Sequence, residues 1–370
     1  MKVLFWVQHL LGIGHVTRAA LLTDAMTRAG LKVTVAFGGR PVANIPFPCE
    51  VRYLPAIEAT DQTFSKLVAV DGAPLKATLA ERRERLVALT LDLRPDIVLI
   101  EAWPFGRRGF SGEVEAMIDA ARGATPGAFT AISVRDILQT KRKRGRTQET
   151  RERLERCADM VLVHSDPRVV RLETTFPAAA GLAVPVVHSG YVAAPSKVVP
   201  SPAHDIVVTA GGGAFGGPLM RAAAEAAALM PDRHWLLSLG PNGGSMRPQP
   251  TANLEVVDYL APLANHLAGA QLSISQAGYN TVTDVLRAQA FGTRAVLVPS
   301  DVTGQTEQLS RAKALAKRGA AICLPESKLT AKALAKAVRD APAPPVHDVR
   351  FDGAARSAAL LREAPARAAA

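Results

Sequence analysis

The chain opens, at residues 2–18, with the stretch KVLFWVQHLLGIGHVTR. Residues 2–7 are almost entirely apolar, which is typical of a strand covered on both faces of a parallel sheet. Gly12 and Gly14 then predict a tight turn, and a helix is predicted from His15 to Ala29. This order of strand, glycine turn and helix indicates an α/β unit that binds its ligand beyond the carboxyl end of the strand.

The same alternation continues along the chain. Further strands are predicted over residues 32–37, 96–100, 129–133, 160–163, 205–209, 234–239, 271–275 and 294–298. Helices are predicted over residues 74–93, 147–157, 218–229 and 305–318, with another that follows residue 281 and ends at residue 289. Strands separated by helices favour parallel sheets with right-handed crossovers.

Residues 193–204 interrupt this pattern. Three prolines in that segment predict a stiff linker rather than a helix or a central strand. After it, the order of strand, glycine turn and helix begins again at residue 205. A chain of 370 residues is also long enough for two domains. The sequence therefore predicts two α/β domains with parallel sheets, one on each side of the linker.

The composition excludes several classes of protein. No run of 18 apolar residues is present, so no membrane-spanning segment is predicted. The first nine residues lack the pattern of a signal peptide. The three cysteines are far apart and odd in number, which predicts neither a disulfide framework nor a metal knuckle. We therefore expect a cytoplasmic protein.

The chain has a net charge of +11, which favours an anionic partner. The densest basic cluster runs from Lys141 to Arg146. It fits either a solvated loop or a contact with anionic lipid or a phosphorylated acceptor. A nucleic acid is not the expected partner, because the chain is poor in aromatic residues and no stacking motif accompanies the basic run.

Three glycine turns point to the ligand. They lie between a predicted strand and a predicted helix, at residues 12–15, 211–213 and 277–281. The amino ends of helices present free N–H groups and partial positive charge to anions. Because the turns come from both halves of the chain, we expect an anionic ligand in the cleft between the domains.

Other nucleotide-binding motifs do not fit. The dinucleotide fingerprint requires a third glycine where Thr17 stands and an acid after the second strand, where the sequence has Gly38-Gly39-Arg40. No Walker A loop, nucleophile elbow or zinc-protease motif occurs. This elimination leaves ligands whose phosphates are held by backbone alone, and these include nucleoside-diphosphate sugars.

The motifs together resemble the MurG-like glycosyltransferases (GT-B, family 28 type), and most closely a predicted bacterial branch of that superfamily. The resemblance covers nearly the whole chain. It rests on GIGHVTR at 12–18, RDIL at 135–138, HSGYV at 188–192, GGG at 211–213, QAGYNT at 276–281 and EQL at 307–309.

The resemblance implies a GT-B fold of two facing Rossmann-like domains. Residues 1–192 would form the acceptor domain and residues 205–350 the nucleotide-sugar donor domain. In residues 351–370, a helix would return to the first domain before a frayed tail. The implied partners are a UDP-sugar donor and a hydroxyl acceptor, which is lipid-linked in related enzymes, with peripheral contact to the inner face of an anionic membrane.

The resemblance also assigns residues to the donor site. Asp284 matches the acid that binds the ribose hydroxyls, where relatives usually carry Glu. Glu307 and Gln308 match a pair that contacts the donor sugar, where MurG has two glutamines. The turns around the diphosphate supply the remaining donor-site residues, which are Gly211, Gly212, Gly213, Gly278, Tyr279, Asn280 and Thr281.

His15 is the candidate general base. It directly follows a glycine turn, and imidazole titrates near neutral pH. Asp136 is expected to orient His15 or to bind acceptor. Arg18 lies one helical turn beyond His15 and is expected to hold an acceptor phosphate. Gly12, Gly14 and Arg135 complete the predicted acceptor side.

The predicted reaction is direct displacement of the diphosphate with inversion at the anomeric carbon. Helix amino ends would stabilise the leaving diphosphate, so neither a metal nor a cofactor is expected. Two alternatives stay open. One is a UDP-sugar hydrolase or epimerase on the same scaffold, and the other is a non-catalytic protein that binds nucleotide sugars.

Overall fold

The computed structural model describes residues 1–60, 66–139, 145–202, 204–211, 216–240, 247–301, 306–346 and 348–368. Within these ranges, parallel strands form two separate sheets. The strands are almost wholly buried, as their near-continuous apolar sequences predict.

The first sheet contains seven described strands in the order β3-β2-β1-β6-β7-β8-β9. Their bounds are β1 Lys2–Gln8, β2 Lys32–Gly38, β3 Glu50–Tyr53, β6 Ile97–Glu101, β7 Phe129–Arg135, β8 Met160–His164 and β9 Val186–His188. A small antiparallel pair lies between β3 and β6 in the sequence and consists of β4 Ile57–Ala59 and β5 Leu67–Ala69.

Helices cover both faces of this sheet. They are α1 Gly14–Arg28, α2 Leu75–Leu93, α3 Ser111–Ala124 and α4 Arg146–Cys157. One core cluster packs α2, α3 and α4 on one face, and another packs α1 on the other face. Because each face is covered, the carboxyl edge of the sheet is the part left open for a ligand.

The second sheet contains six described strands in the order β12-β11-β10-β13-β14-β15. Their bounds are β10 Ile206–Thr209, β11 Trp235–Ser238, β12 Leu254–Val257, β13 Leu272–Ser275, β14 Arg294–Leu297 and β15 Ile322–Cys323. The helices of this domain are α5 Gly217–Ala228, α6 Leu263–Ala268, α7 Tyr279–Gln289, α8 Thr306–Lys317 and α9 Ala331–Asp340.

The last helix, α10 (Gly353–Ala368), packs on the first domain. Ala358, Leu361 and Ala364 are buried in the same cluster as Val3 and Phe5. Each large apolar side chain buried in this way contributes about 1.5–3 kcal/mol. The chain therefore crosses between the domains twice, once at the linker and once before α10.

Each sheet has one topological switch point, where the order in which successive strands are added reverses from one side of the sheet to the other. In the first sheet this point lies between β1 and β6, and in the second between β10 and β13. Ligands of open parallel sheets bind beyond the carboxyl ends of the strands at such a switch point. The three glycine turns follow β1, β10 and β13, so the topology places all of them at the two switch points.

Candidate functional site

The carboxyl edges of the two sheets meet at the glycine turns. The side-chain amide of Asn280 donates a hydrogen bond to the carbonyl of Gly14 at 3.2 Å. The Tyr279 hydroxyl donates to the carbonyl of His164 at 2.8 Å and accepts from the N–H of Val192 at 2.9 Å. The first and third glycine turns are thus in direct contact across the cleft, as the fold prediction requires.

The second glycine turn packs against the third. Gly211 has a φ of +66°, and a Cβ there would lie 2.6 Å from the hydroxyl of Thr281. Its N–H donates to the Thr209 hydroxyl at 3.0 Å. The position therefore requires glycine for both its backbone conformation and its close approach. Gly212 and Gly213, which were predicted to contact the diphosphate, lie outside the described residues.

Two helices begin at this contact without a cap. Neither α1 nor α7 has a side-chain hydrogen bond at its N-cap or an acidic residue in its first turn. Their first N–H groups therefore lack those partners, and the positive ends of both helix dipoles lie at the cleft. This arrangement suits a bound anion.

His15 lies in a strongly cationic environment. Burial lowers its pKa well below 6.5, and the charges of Arg107, His9, Arg18 and Arg135 lower the pKa further. Its ring centroid lies 5.4 Å from that of His9. The imidazole is therefore neutral at pH 7, which is the form that accepts a proton.

Several buried polar atoms of the cleft have no hydrogen-bond partner among the described residues. They are Nδ1 of His9, Nε2 of His15, Nε of Arg18, Oε2 of Glu101 and Oε2 of Glu307. An unpaired buried polar group costs about 1–3 kcal/mol. Their concentration at one place is what a site completed by a polar ligand would show.

Arg18 forms an ion pair with a carboxylate of its own domain. It is buried, it forms an ion pair with Glu101 at the end of β6, and its guanidinium lies 5.3 Å from the centre of the Tyr279 ring. The carboxylate of Glu101 already balances its charge. Nε of Arg18 has no hydrogen-bond partner among the described residues, and a contact of Arg18 with an acceptor phosphate stays a prediction.

Asp136 forms an ion pair with an arginine of the second domain. Its two carboxylate oxygens accept from Nε and Nη2 of Arg311, each at 2.7 Å, and one of them also accepts from the N–H of Ile137. The Asp136 side chain is 0% exposed and that of Arg311 is 1% exposed. Asp136 is therefore occupied by an ion pair between the domains, and the described residues show no hydrogen bond from it to His15.

Arg135 and Glu307 form a second ion pair across the cleft. Nη2 of Arg135 lies 3.0 Å from Oε1 of Glu307, with side-chain exposures of 36% and 9%. Burial raises the pKa of Glu307, but the charge of Arg135 and other interactions outweigh it, so the pKa lies below its ordinary value. Glu307 is therefore an anion with one oxygen free.

Two other predicted donor residues, Asp284 and Gln308, lie on α7 and α8 of the second domain. Burial raises the pKa of Asp284 to about 6, and Arg287 acts against this rise from 4.0 Å away. Oε1 of Gln308 accepts from the N–H of Ser300 at 3.4 Å. The hydroxyl of Tyr279 makes two hydrogen bonds to the first domain, so it contributes to the domain contact, and its contact with the donor stays a prediction.

Sequence reasoning missed three functional residues. Glu101 ends a buried strand, Arg107 donates to the carbonyl of Gln8 at 3.1 Å, and Arg311 binds Asp136. A polar residue at the end of the apolar run 97–100 is a signal that would have found Glu101. The spacing of four residues from Glu307 would have placed Arg311 on the same helical face.

One cavity lies away from the glycine turns. It has a volume of about 190 Å³ and is found at the amino edge of the second sheet, among residues such as Asp205, Gln271 and Arg294. These residues precede or begin their strands, so the cavity is at the opposite edge from the glycine turns. We place the site at the turns, because the unpaired polar groups and helix amino ends lie there.

Two further findings concern metal ions and membranes. No group of three or more His, Cys, Asp or Glu side chains in the described ranges is arranged to hold a metal ion. Among those same residues, no helix has both the length and the apolar character that crossing a bilayer requires.

Residues 206–351 match the family model described as the glycosyltransferase family 28 C-terminal domain. Two curated relatives are named UDP-N-acetylglucosamine--N-acetylmuramyl-(pentapeptide) pyrophosphoryl-undecaprenol N-acetylglucosamine transferase. The one from Synechococcus elongatus is 32% identical over 110 residues, which are 29% of each chain. The one from Herminiimonas arsenicoxydans is 35% identical over 132 residues, covering 34% of this chain and 36% of the relative. The chain thus spans about a third of the length of these relatives.

Solved structures resemble the whole chain. A glycotransferase of kitacinnamycin has a TM-score of 0.63 at 15% identity and covers 99% of this chain and 95% of its own. MurG of Acinetobacter baumannii has a TM-score of 0.58 at 18% identity, with coverage of 98% and 95%. UDP-GlcNAc 2-epimerase of Methanocaldococcus jannaschii has a TM-score of 0.58 at 10% identity, with coverage of 98% and 99%. These likenesses concern the fold, which is GT-B.

Proposed function

We propose that this chain, a MurG-like protein of GT-B fold with a family 28 C-terminal domain, transfers a sugar from a nucleoside-diphosphate donor to a hydroxyl acceptor. One observation carries the proposal: uncapped helix amino ends from both domains meet beside a buried, neutral histidine with an unpaired nitrogen. The helix ends suit a diphosphate, and the histidine suits an acceptor hydroxyl.

In the proposed reaction, the acceptor hydroxyl gives its proton to Nε2 of His15. The acceptor oxygen then forms a bond to the anomeric carbon from the face opposite the diphosphate. The bond between that carbon and the diphosphate oxygen breaks, and its electron pair stays on the diphosphate. The helix amino ends and the nearby arginines stabilise the charge that develops there, so the reaction requires no metal ion. The configuration at the anomeric carbon inverts.

The donor supplies a charge that the protein lacks at His15. The charged groups that act on the pKa of His15 are all basic, and no carboxylate is among them. A diphosphate bound beside His15 would favour the imidazolium form and so raise the pKa of His15. His15 would therefore become a stronger base when the donor is present, which suits transfer better than reaction in the empty site.

We assign the donor to the second domain and the acceptor to the first. Gly211, Gly278, Asn280 and Thr281 would contact the diphosphate, with Gly212 and Gly213 as further candidates. Asp284 would accept from the ribose, and Glu307 with Gln308 would contact the sugar. The curated relatives are named for UDP-N-acetylglucosamine and a pyrophosphoryl-undecaprenol acceptor. We therefore propose a UDP donor and a lipid-linked acceptor reached at the inner face of a membrane.

The alternative function, a UDP-sugar hydrolase or epimerase, is tested with the same wild-type protein. The fold likeness to a structure named UDP-GlcNAc 2-epimerase keeps this alternative open. Rapid UDP release from UDP-N-acetylglucosamine in water alone would indicate hydrolysis. Formation of an isomeric UDP-sugar would indicate epimerisation, and binding without any product would indicate a non-catalytic protein.

The proposal is tested by thermal unfolding and calorimetry with UDP, dTDP and their sugar conjugates. A ligand present at 100 times its dissociation constant should stabilise the folded protein by about 2.7 kcal/mol. We expect one nucleotide series to stabilise the protein and His15→Ala to bind it equally well without turnover. Failure of every nucleoside diphosphate to bind would overturn the proposal.

A further inference from the structure

Arg311 joins three elements from two domains. Nε and Nη2 of its guanidinium bind Asp136, which follows β7, each at 2.7 Å. Nη1 donates to the carbonyl of Ala277 at 2.6 Å, directly before the third glycine turn. Arg311 itself lies on α8. One side chain thus fixes the end of a first-domain strand, a second-domain turn and a second-domain helix.

This contact is built to stay closed. Both side chains of the pair are fully buried, and the guanidinium and the carboxylate neutralise one another. Separating the domains at this point would leave an unpaired charge, which is costly unless water reaches it. The neighbouring pair of Arg135 and Glu307 is different, because Arg135 is 36% exposed and Glu307 keeps a free oxygen.

The position of Arg311 links this contact to the donor site. Glu307 precedes it by four residues, so both side chains project from the same face of α8. The carbonyl that Arg311 binds belongs to Ala277, which adjoins the N-cap of α7 at Gly278. The sugar-side carboxylate and the diphosphate-side turn are therefore both held relative to the strand that carries Arg135 and Asp136.

We infer that Arg311, through its buried pair with Asp136, is a positioning residue that holds the donor-binding turn and α8 at a fixed distance from His15. The inference rests on the proposed function. Arg311 touches neither substrate in this assignment. Its effect is exerted through the relative placement of the two domains, so its loss should slow transfer without weakening the binding of UDP to the second domain.

Two variants test the inference. Asp136→Asn removes one charge and leaves the bond from Arg311 to Ala277 in place. The double variant Asp136→Asn with Arg311→Gln replaces the ion pair by two neutral amides, so that no buried charge is left alone if the single variant folds poorly. Arg318→Gln is the matched control, since Arg318 also crosses between the domains, to the carbonyl of Arg168, but at the exposed surface.

Three measurements separate the outcomes: the dissociation constant of UDP by calorimetry, the rate of UDP release from UDP-N-acetylglucosamine in the presence of the pyrophosphoryl-undecaprenol-linked acceptor for which the curated relatives are named, and the radius of gyration by small-angle X-ray scattering. In both test variants we expect turnover to fall at least tenfold, the UDP dissociation constant to change less than threefold, and the radius of gyration to increase. Arg318→Gln should match the wild type in all three.

Failure of the proposed function and failure of the inference about Arg311 would give different results. If the wild type binds no nucleoside diphosphate, the proposed function is wrong, and the scattering comparison still decides whether the pair holds the domains. If the wild type turns over and the double variant matches it in rate and radius of gyration, the inference is overturned. Equal losses of turnover and UDP binding would also overturn it, since they would indicate a role in folding alone.

Discussion

The two walls of the cleft are built from different chemistry. The first-domain wall consists of ionisable side chains, His9, His15, Glu101, Arg107 and Arg135, at the carboxyl edge of its sheet. On the second-domain wall, the part proposed to face the diphosphate consists mainly of backbone, in the turns before and at the start of α7 and after β10, and the side chains of Asp284, Glu307 and Gln308 are proposed to face the ribose and the sugar. The difference teaches that proton transfer and anion binding are divided between the domains, so changes on one wall should affect one function and spare the other.

The largest expected effect is on the side-chain wall. His15→Ala removes the proposed base, whose contribution is about 10²- to 10⁴-fold in rate. UDP should bind as it does to the wild type, because the other wall is unchanged. His234→Ala is the control, since His234 is exposed in the second domain. Rates of UDP release and calorimetry of UDP measure the two effects, and near-normal turnover in His15→Ala would show that the division of labour is wrong.

The ion pair of Asp136 and Arg311 joins the two walls, and a similar buried ion pair lies within the first domain. Arg82 and Glu113 are buried to the same degree as Asp136 and Arg311, but both belong to the first domain. Glu113→Gln and Asp136→Asn should each lower the free energy of unfolding by about 3–5 kcal/mol, because each leaves a buried arginine without its carboxylate.

Chemical denaturation measures these losses. At a temperature where both variants are folded, only Asp136→Asn should slow turnover. If Glu113→Gln slows turnover to the same extent, then the contact between the walls has no special role, and the stability of the first domain decides the rate.

The backbone wall is tested by adding one methyl group. Gly211→Ala places a Cβ 2.6 Å from the Thr281 hydroxyl at a φ of +66°. Gly292→Ala is the matched control, because its φ is +90° and nothing lies within 4 Å. Both should lose about 1–2 kcal/mol of stability from the left-handed conformation. Only Gly211→Ala should weaken UDP binding, by roughly tenfold, which corresponds to about 1.4 kcal/mol. Equal UDP affinities in the two variants would remove Gly211 from the donor site.

The pH profile should also distinguish the walls. The pKa of His15 in the free protein lies well below 6.5. The base must be neutral, so kcat/KM should stay constant as pH falls through 6.5 and decline only at lower pH. The acid limb of kcat should lie at higher pH than that of kcat/KM, because the bound diphosphate raises the pKa of His15. A kcat/KM limb above pH 6.5 would contradict the structure around His15.

The smallest expected effect concerns Asp284. Its pKa is raised to about 6 by burial, so it is ionised at pH 7 and becomes protonated as pH falls through that value. UDP affinity should therefore weaken at acid pH, by roughly fivefold for one lost hydrogen bond of about 1 kcal/mol. Asp284→Asn should bind UDP with an affinity that no longer depends on pH in this range. A wild-type affinity that is constant from pH 5 to 7 would place Asp284 outside the ribose site.

The sequence predicted the central elements of the fold well. The strands around β1, β6, β10 and β13 were placed to within one or two residues, because their buried apolar runs are independent of their neighbours. It missed β3, β12 and β15, which are short edge strands with polar or partly exposed residues. It also missed α3 and α9, although Pro126-Gly127 follows α3 and a Thr330 cap begins α9.

Within the site, the sequence located the glycine turns, His15, and the acidic residues of the two interdomain ion pairs, Asp136 and Glu307. It could not predict which arginine each of these acids would meet. Asp136 and Arg311 are 175 residues apart, and neither residue alone indicates which charge it will meet. The direction in which a buried carboxylate points depends on what packs against it, so the sequence left Asp136 with two possible roles, to orient His15 or to bind acceptor, and gave no sign of its pairing with Arg311 of the other domain.

The sequence by itself determined two parallel αβ layers and the glycine bends at their edges, because hydrophobic period and backbone freedom are local properties of the chain. The tertiary structure alone decided which ionisable groups remain free. Ion pairs form between whichever charges docking brings together, and docking left the imidazole of His15 unpaired while it enclosed Arg18, Asp136 and Arg311 with their partners.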